Sequence, residues 1–202
     1  MSALRGEYSG TAARREAILE SAFQVSAKSG FRGGSMPDIA HRMGIAHTTL
    51  LHHFPSKDAL LLGVLQLRDA QTSAIAGPDA LGGIATLHHV LDTVALNQRT
   101  EGLVELYCIL SAEATDSRHP AHGFFQQRYR DVVAVLRVAL EQLAADGLLR
   151  ARVDPVEEAA RVIALMDGLQ VQWLLSDRKL DMVEHLRHHF DGILTEPLAR
   201  QV

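Results

Sequence analysis

Apolar positions recur at helical spacing from about Arg14 to Pro197, and no segment shows the two-residue alternation of a strand. Between Arg14 and Ser29, the residues Ile18, Leu19, Ala22, Phe23 and Ala27 share one face, and Gly30 supplies a stop. Two short helices follow. Ser35 can cap the first, with Asp38 as its reciprocal partner and Pro37 in a first turn that needs no amide donors. Ile39, Ala40 and Met43 form its apolar face. Gly44 then falls where the chain must turn sharply, because glycine enters the left-handed conformation without steric cost. Ile45 plugs the turn, and a second helix runs from about His47 to Phe54, with Leu50 and Phe54 facing inward.

The rest of the chain reads as longer helices. Asp58 to about Ser73 carries Leu60, Leu61, Val64 and Leu67 and breaks at Gly77-Pro78. Ala80–Asn97 carries Leu81, Ile84, Leu87, Leu91 and Leu96, and Gly102–Thr115 carries Leu103, Leu106, Tyr107 and Leu110. Phe124–Ala145 is long and periodic and ends at Gly147. Pro155–Ser176 is apolar over much of its circumference, more than one packing face requires, and Asp181–Thr195 closes the chain. The pattern predicts an all-α protein: an amino-terminal head of three helices, then a body of about six. Residues 1–12 are small and polar and read as a mobile arm.

Composition narrows the class. A chain of 202 residues with 47% hydrophobic content can bury a sizeable core. No apolar run approaches the roughly 18 residues of a membrane span, and the start MSALRGEYSGTAARRE has no signal-peptide stretch. A single cysteine, Cys108, builds no disulfide framework, so a reducing cytoplasm is the expected location. The net charge of −4 is uneven: residues 1–57 carry seven basic and four acidic side chains, a net +3, and the remainder carries −7. A mildly basic head on an acidic body suits a DNA-contacting element on a scaffold that phosphate repels.

Residues 35–60, SMPDIAHRMGIAHTTLLHHFPSKDAL, therefore read as a helix-turn-helix, although glycine and an apolar pattern alone also fit an ordinary helical hairpin. Ile39-Ala40, Gly44-Ile45, Thr49-Leu50 and above all His52-His53-Phe54-Pro55-Ser56-Lys57-Asp58-Ala59-Leu60 resemble the tetracycline-repressor (TetR) family of bacterial transcription regulators. The motif-bearing part spans about residues 14–62. The resemblance implies a DNA-binding domain over residues 1–57 and an effector-binding and dimerisation domain over 58–202.

By this resemblance His47, Thr48 and Thr49 occupy base-reading positions, His52 meets base or sugar, and His53 and Lys57 meet phosphate, with Arg42, Arg14 and Arg15 as further contacts. The start of the helix near Lys57 offers amides to the same phosphate. Three positions depart from the family pattern. Leu51 stands where a tyrosine is usual, Ala46 where a capping serine is common, and Pro37 where a basic residue is frequent; Leu51, on an exposed side of the helix, is expected as a DNA contact that meets a thymine methyl instead. The missing cap should cost about 1 kcal/mol.

The family also implies a small-molecule effector held between the body's middle helices, a twofold homodimer and a palindromic operator. Residues offering an apolar face with a polar or aromatic handle are Leu91, Tyr107, Glu113, Phe125, Met166, Gln170 and Trp173, which would suit an apolar or aromatic effector. Leu165, Leu169, Val183, Leu186 and Phe190 are the expected interface residues. No metal or cofactor is implied: the pairs His185/His189 and His119/His122 are half a zinc site at best. No GxSxG, P-loop, HExxH or GxGxxG occurs, so an enzyme is not expected. A small-molecule carrier or interaction module with a degraded DNA head stays open as the rival.

Overall fold

The computed structural model describes residues 13–25, 34–76 and 82–199. The arm over 1–12, the stop at Gly30 and the break at Gly77-Pro78 lie outside them. The described residues form helices α1 (13–25), α2 (Met36–Arg42), α3 (His47–His53), α4 (Lys57–Ala76), α5 (Gly83–Gln98), α6 (Glu101–Glu113), α7 (His122–Ala145), α8 (Pro155–Leu175) and α9 (Met182–Ile193). Among these residues there is no strand, and one isolated antiparallel bridge joins Leu149 to Leu194.

Local chemistry sets the helix ends. At the start of α2 the Ser35 Oγ accepts from the Asp38 amide, while the Asp38 carboxylate accepts from the Ser35 amide at 2.8 Å, closing a capping box. The hydrogen bonds to Ser35 hold the Asp38 carboxyl below its ordinary value. At the other end Gly44 has φ +67°, the Ile45 amide reaches back to the Ala40 carbonyl and the Gly44 amide to that of His41. These are the bonds of a Schellman turn. Ala46 leaves α3 without a side-chain cap, as its methyl side chain requires. Asp154 and Asp181 cap α8 and α9 by accepting from the amides of Val156 and Glu184.

Packing divides the chain into two compact units: Met1–Gln71 with Thr100–Ala121, and Thr72–Arg99 with His122–Val202. Most of α4 thus groups with the head, so this partition differs from the functional division expected at residue 57. The core of the first unit is Ile18, Leu19 and Ala22 of α1, Ile39 and Ala40 of α2, Leu50 and Phe54, Leu60, Val64 and Leu65 of α4, and Leu103, Val104 and Leu110 of α6. In the second unit α7 packs on α8 and α5, and α9 on α5 and α8. Leu87, Leu91, Leu136, Leu140, Leu143, Val162, Trp173, Leu186 and Phe190 are buried there. No helix among the described residues is long and apolar enough to cross a membrane.

Candidate nucleic-acid interface

The outer surface of α3 is set by what its inner surface must cover. Leu50 is fully buried and Phe54 nearly so. With 3.6 residues per turn, Thr48, Leu51 and His52 then share an outward arc of roughly 100°, and all three are exposed. His47 and Thr49 flank this arc and are half-buried. A short helix with one apolar side anchored and one mixed polar side projecting has the form of a groove-reading element.

Basic side chains gather at the carboxy-terminal end of α3. The rings of His52 and His53 meet edge to face, with centroids 5.1 Å apart. Burial, and then the charges of His52, Arg14 and Arg15, hold the pKa of His53 below its ordinary 6.5. The Arg15 guanidinium lies 4.8 Å from the centroid of the Phe54 ring. His52, Arg14 and Arg15 are therefore near enough to His53 to repel its charge, a repulsion that an anion would relieve. Arg42 is exposed at the end of α2 and Lys57 half-buried at the start of α4, where the Ser56 hydroxyl accepts from the Ala59 amide.

The residues expected around an effector divide between the two units. Leu91 of α5, Phe125 of α7 and Met166, Gln170 and Trp173 of α8 belong to the second, all buried except the half-buried Met166. The Gln170 Oε1 is buried with no hydrogen-bond partner among the described residues. A buried acceptor left unpaired is costly, and a ligand donor is one way to satisfy it. Tyr107 is buried in the first unit, with the Arg68 guanidinium 5.8 Å from its ring centroid. Glu113 is exposed at the end of α6, which removes it from any enclosed lining. An open cleft of about 560 Å³ lies between Gly82–Gly83 and Gln142–Leu143, and none of the expected effector residues lines it.

Burial also corrects the expected interface. Leu186 and Phe190 are fully buried and Leu169 is 4% exposed, so their apolar surface is already used within the second unit. Leu165 and Val183 keep part of theirs. Val171 and Leu175 of α8, 45% and 81% exposed and one turn apart, supply the outward apolar surface that sequence reasoning assigned elsewhere.

One polar site was not anticipated. Glu158 of α8 is 4% exposed, and its carboxylate takes a 2.7 Å contact from His189 Nε2 and a 3.3 Å contact from Arg161. His189 is thereby bound to a carboxylate, and the His119 Nδ1 accepts from the Ala121 amide. Neither histidine pair forms a metal cluster among the described residues.

Comparison with known proteins agrees with this geometry. Residues 18–64 match the family profile "Bacterial regulatory proteins, tetR family", and residues 85–195 match "BetI-type transcriptional repressor, C-terminal". The chain is 27% identical over 190 residues to the HTH-type transcriptional regulator PksA of Bacillus subtilis, with 91% of each chain covered. It is 27% identical over 181 residues to the HTH-type transcriptional repressor KstR2 of Rhodococcus jostii, covering 82% of this chain and 81% of that one. A TetR-family regulator from Rhodococcus sp. shares the fold, with a TM-score of 0.70 at 22% identity over 90% of this chain and 98% of that one.

Proposed function

The chain belongs to the tetR family of bacterial regulatory proteins, and on that premise we propose that it is a ligand-responsive, dimeric repressor released from a palindromic operator by a small molecule. The observation that carries the DNA-reading part is the exposed arc of Thr48, Leu51 and His52 opposite the buried Leu50. Residues 1–57 act as the DNA-binding domain and 58–202 as the effector-binding and dimerisation domain. Thr48 and Thr49 read base edges together with His47 and His52, while Arg14, Arg15, Arg42, His53 and Lys57 hold phosphates and fix the register.

Repression is favoured by the relative KstR2, a transcriptional repressor of matched length. Dimerisation draws on Leu165, Val171, Leu175 and Val183. Two heads related by a twofold axis then require a palindrome with half-sites about one helical turn, or a multiple of it, apart. The effector is apolar or aromatic. It is held by the aromatic and aliphatic side chains of Leu91, Phe125, Met166 and Trp173, and it donates a hydrogen bond to Gln170. No step of chemistry is assigned to the protein.

The test is enrichment of sheared genomic DNA by the purified protein, followed by sequencing. An inverted repeat adjoining a small set of genes is the expected result. Folded protein that enriches nothing at moderate salt, with or without removal of bound small molecules, would overturn the reading in favour of a carrier.

A further inference from the structure

Leu51 is 40% exposed on the outward arc of α3, between His47 and Thr48 in angular position, while the adjacent Leu50 is fully buried. The helix thus spends its apolar contact with the head on one side and presents a second leucine on the other. A leucine side chain has no donor, acceptor or charge to give a phosphate or a base edge. The floor of the major groove offers it one kind of apolar group, the C5 methyl of thymine. The net +3 on residues 1–57 suits a polyanion such as duplex DNA as the occupant of this face, and the major groove supplies both that charge and an apolar methyl.

Resting on the reading of α3 as the recognition helix, we propose that Leu51 is a specificity-determining residue that packs on a thymine methyl in each operator half-site. Thr48 stands one turn earlier on the same arc and bounds this contact with its own methyl. The contact uses no hydrogen bond. It separates thymine from cytosine by the presence of the methyl, and it is blind to the exchange of donor and acceptor that distinguishes the other base pairs.

Uracil isolates the methyl, because it keeps every hydrogen-bonding group of thymine. Random-sequence duplex libraries copied with thymine or with uracil are selected in parallel by the wild-type protein and by the Leu51→Ala variant. Alanine is no poorer a helix former than leucine, so the variant should stay folded, and thermal unfolding checks this. The wild type should enrich a motif with a fixed thymine from the first library and lose its preference at that one position in the second. On a half-site probe built from the motif, uracil at that position should weaken wild-type binding about fourfold, the equivalent of one buried methyl group. Leu51→Ala should show no preference there in either library.

An identical motif from both libraries would overturn the inference while leaving the regulator reading intact. So would a methyl preference that survives in Leu51→Ala, since another residue would then read it. No motif from either library, with folded wild-type protein, would instead remove the recognition-helix reading, and the inference with it.

Discussion

The guanidinium of Arg15 lies over the Phe54 ring, 4.8 Å from its centroid, and so ties the exposed edge of α1 to the residue that anchors the end of α3. Phe54 is 1% exposed, so its ring is held by the core while the cation stays on the surface. An exposed cation over a ring is worth about 0.5–1 kcal/mol. That is enough to bias the Arg15 side chain toward the ring, from where its charge also acts on His53. Arg15→Met keeps the stem and removes the charge. We expect at most a small drop in melting temperature, together with a loss of about one from the slope of log binding constant against log salt. An unchanged slope with a clear drop in stability would make Arg15 purely structural.

Gly63 of α4 sits where a methyl group would come within 2.7 Å of the Leu19 Cδ2 and 3.4 Å of the Phe54 Cε1. Alanine is intrinsically the better helix residue by about 1 kcal/mol. Overpacking a buried contact costs about 1–3 kcal/mol, and Leu19 is itself buried. The clash should win. Gly63→Ala is expected to lower unfolding free energy in urea, and an increase would show that Leu19 can swing clear.

Glu158 and His189 join α8 to α9 through a buried carboxylate. His189→Ala removes the short partner and leaves Arg161 as the one described contact, at an expected cost of about 1–3 kcal/mol. Glu158→Leu in the same background should recover part of this loss, because it removes a buried carboxylate that the partly exposed Arg161 alone compensates. Denaturation repeated over a range of protein concentrations separates these effects from subunit association. Equal stability of all three proteins would show that the pair contributes nothing.

The helix-turn-helix was legible because its signals are local: Ser35 with Asp38, and Gly44 with the amides that close on Ala40 and His41. What the sequence concealed depends on partners distant in the chain. The pairing of Glu158 with His189 spans 31 residues, and no spacing rule points to it. Leu96 was expected inward yet is 41% exposed, while its polar neighbour Asn97 is 3% exposed. Leu186 and Phe190 fail as interface residues for a related reason. An apolar face records that something covers it, without recording whether the cover is the same chain or another. Leu51 is the converse: its place on the outer side follows from the helical spacing of Leu50 and Phe54, and its 40% exposure agrees with that spacing.

His53 gives the head a pH dependence whose sign follows from its depressed pKa. The folded head binds this proton more weakly than the unfolded chain does, so the unfolded state gains protons first as pH falls. Stability is therefore full above about 6.5 and declines as pH falls from there through the lower folded value. His53→Gln should flatten this decline. Operator binding should move the other way. Phosphate near the cluster of Arg14, Arg15, His52 and His53 favours the charged ring, so affinity should rise, and selectivity fall, between about pH 8 and about pH 6. A flat affinity and salt slope across that range would contradict proton-linked binding.

The most direct measurement is a fluorescence titration of the recovered operator, and of a scrambled duplex of equal length, with wild-type protein and with a Thr48→Ala/His52→Ala variant. Both substitutions lie on the exposed arc of α3 and remove no buried side chain. The variant should lose most of the preference for operator over scrambled DNA, by at least tenfold if each base contact is worth about 1 kcal/mol or more. Binding to the scrambled duplex should persist through the arginine and lysine contacts. A variant that still discriminates as the wild type does would mean that Thr48 and His52 do not read DNA.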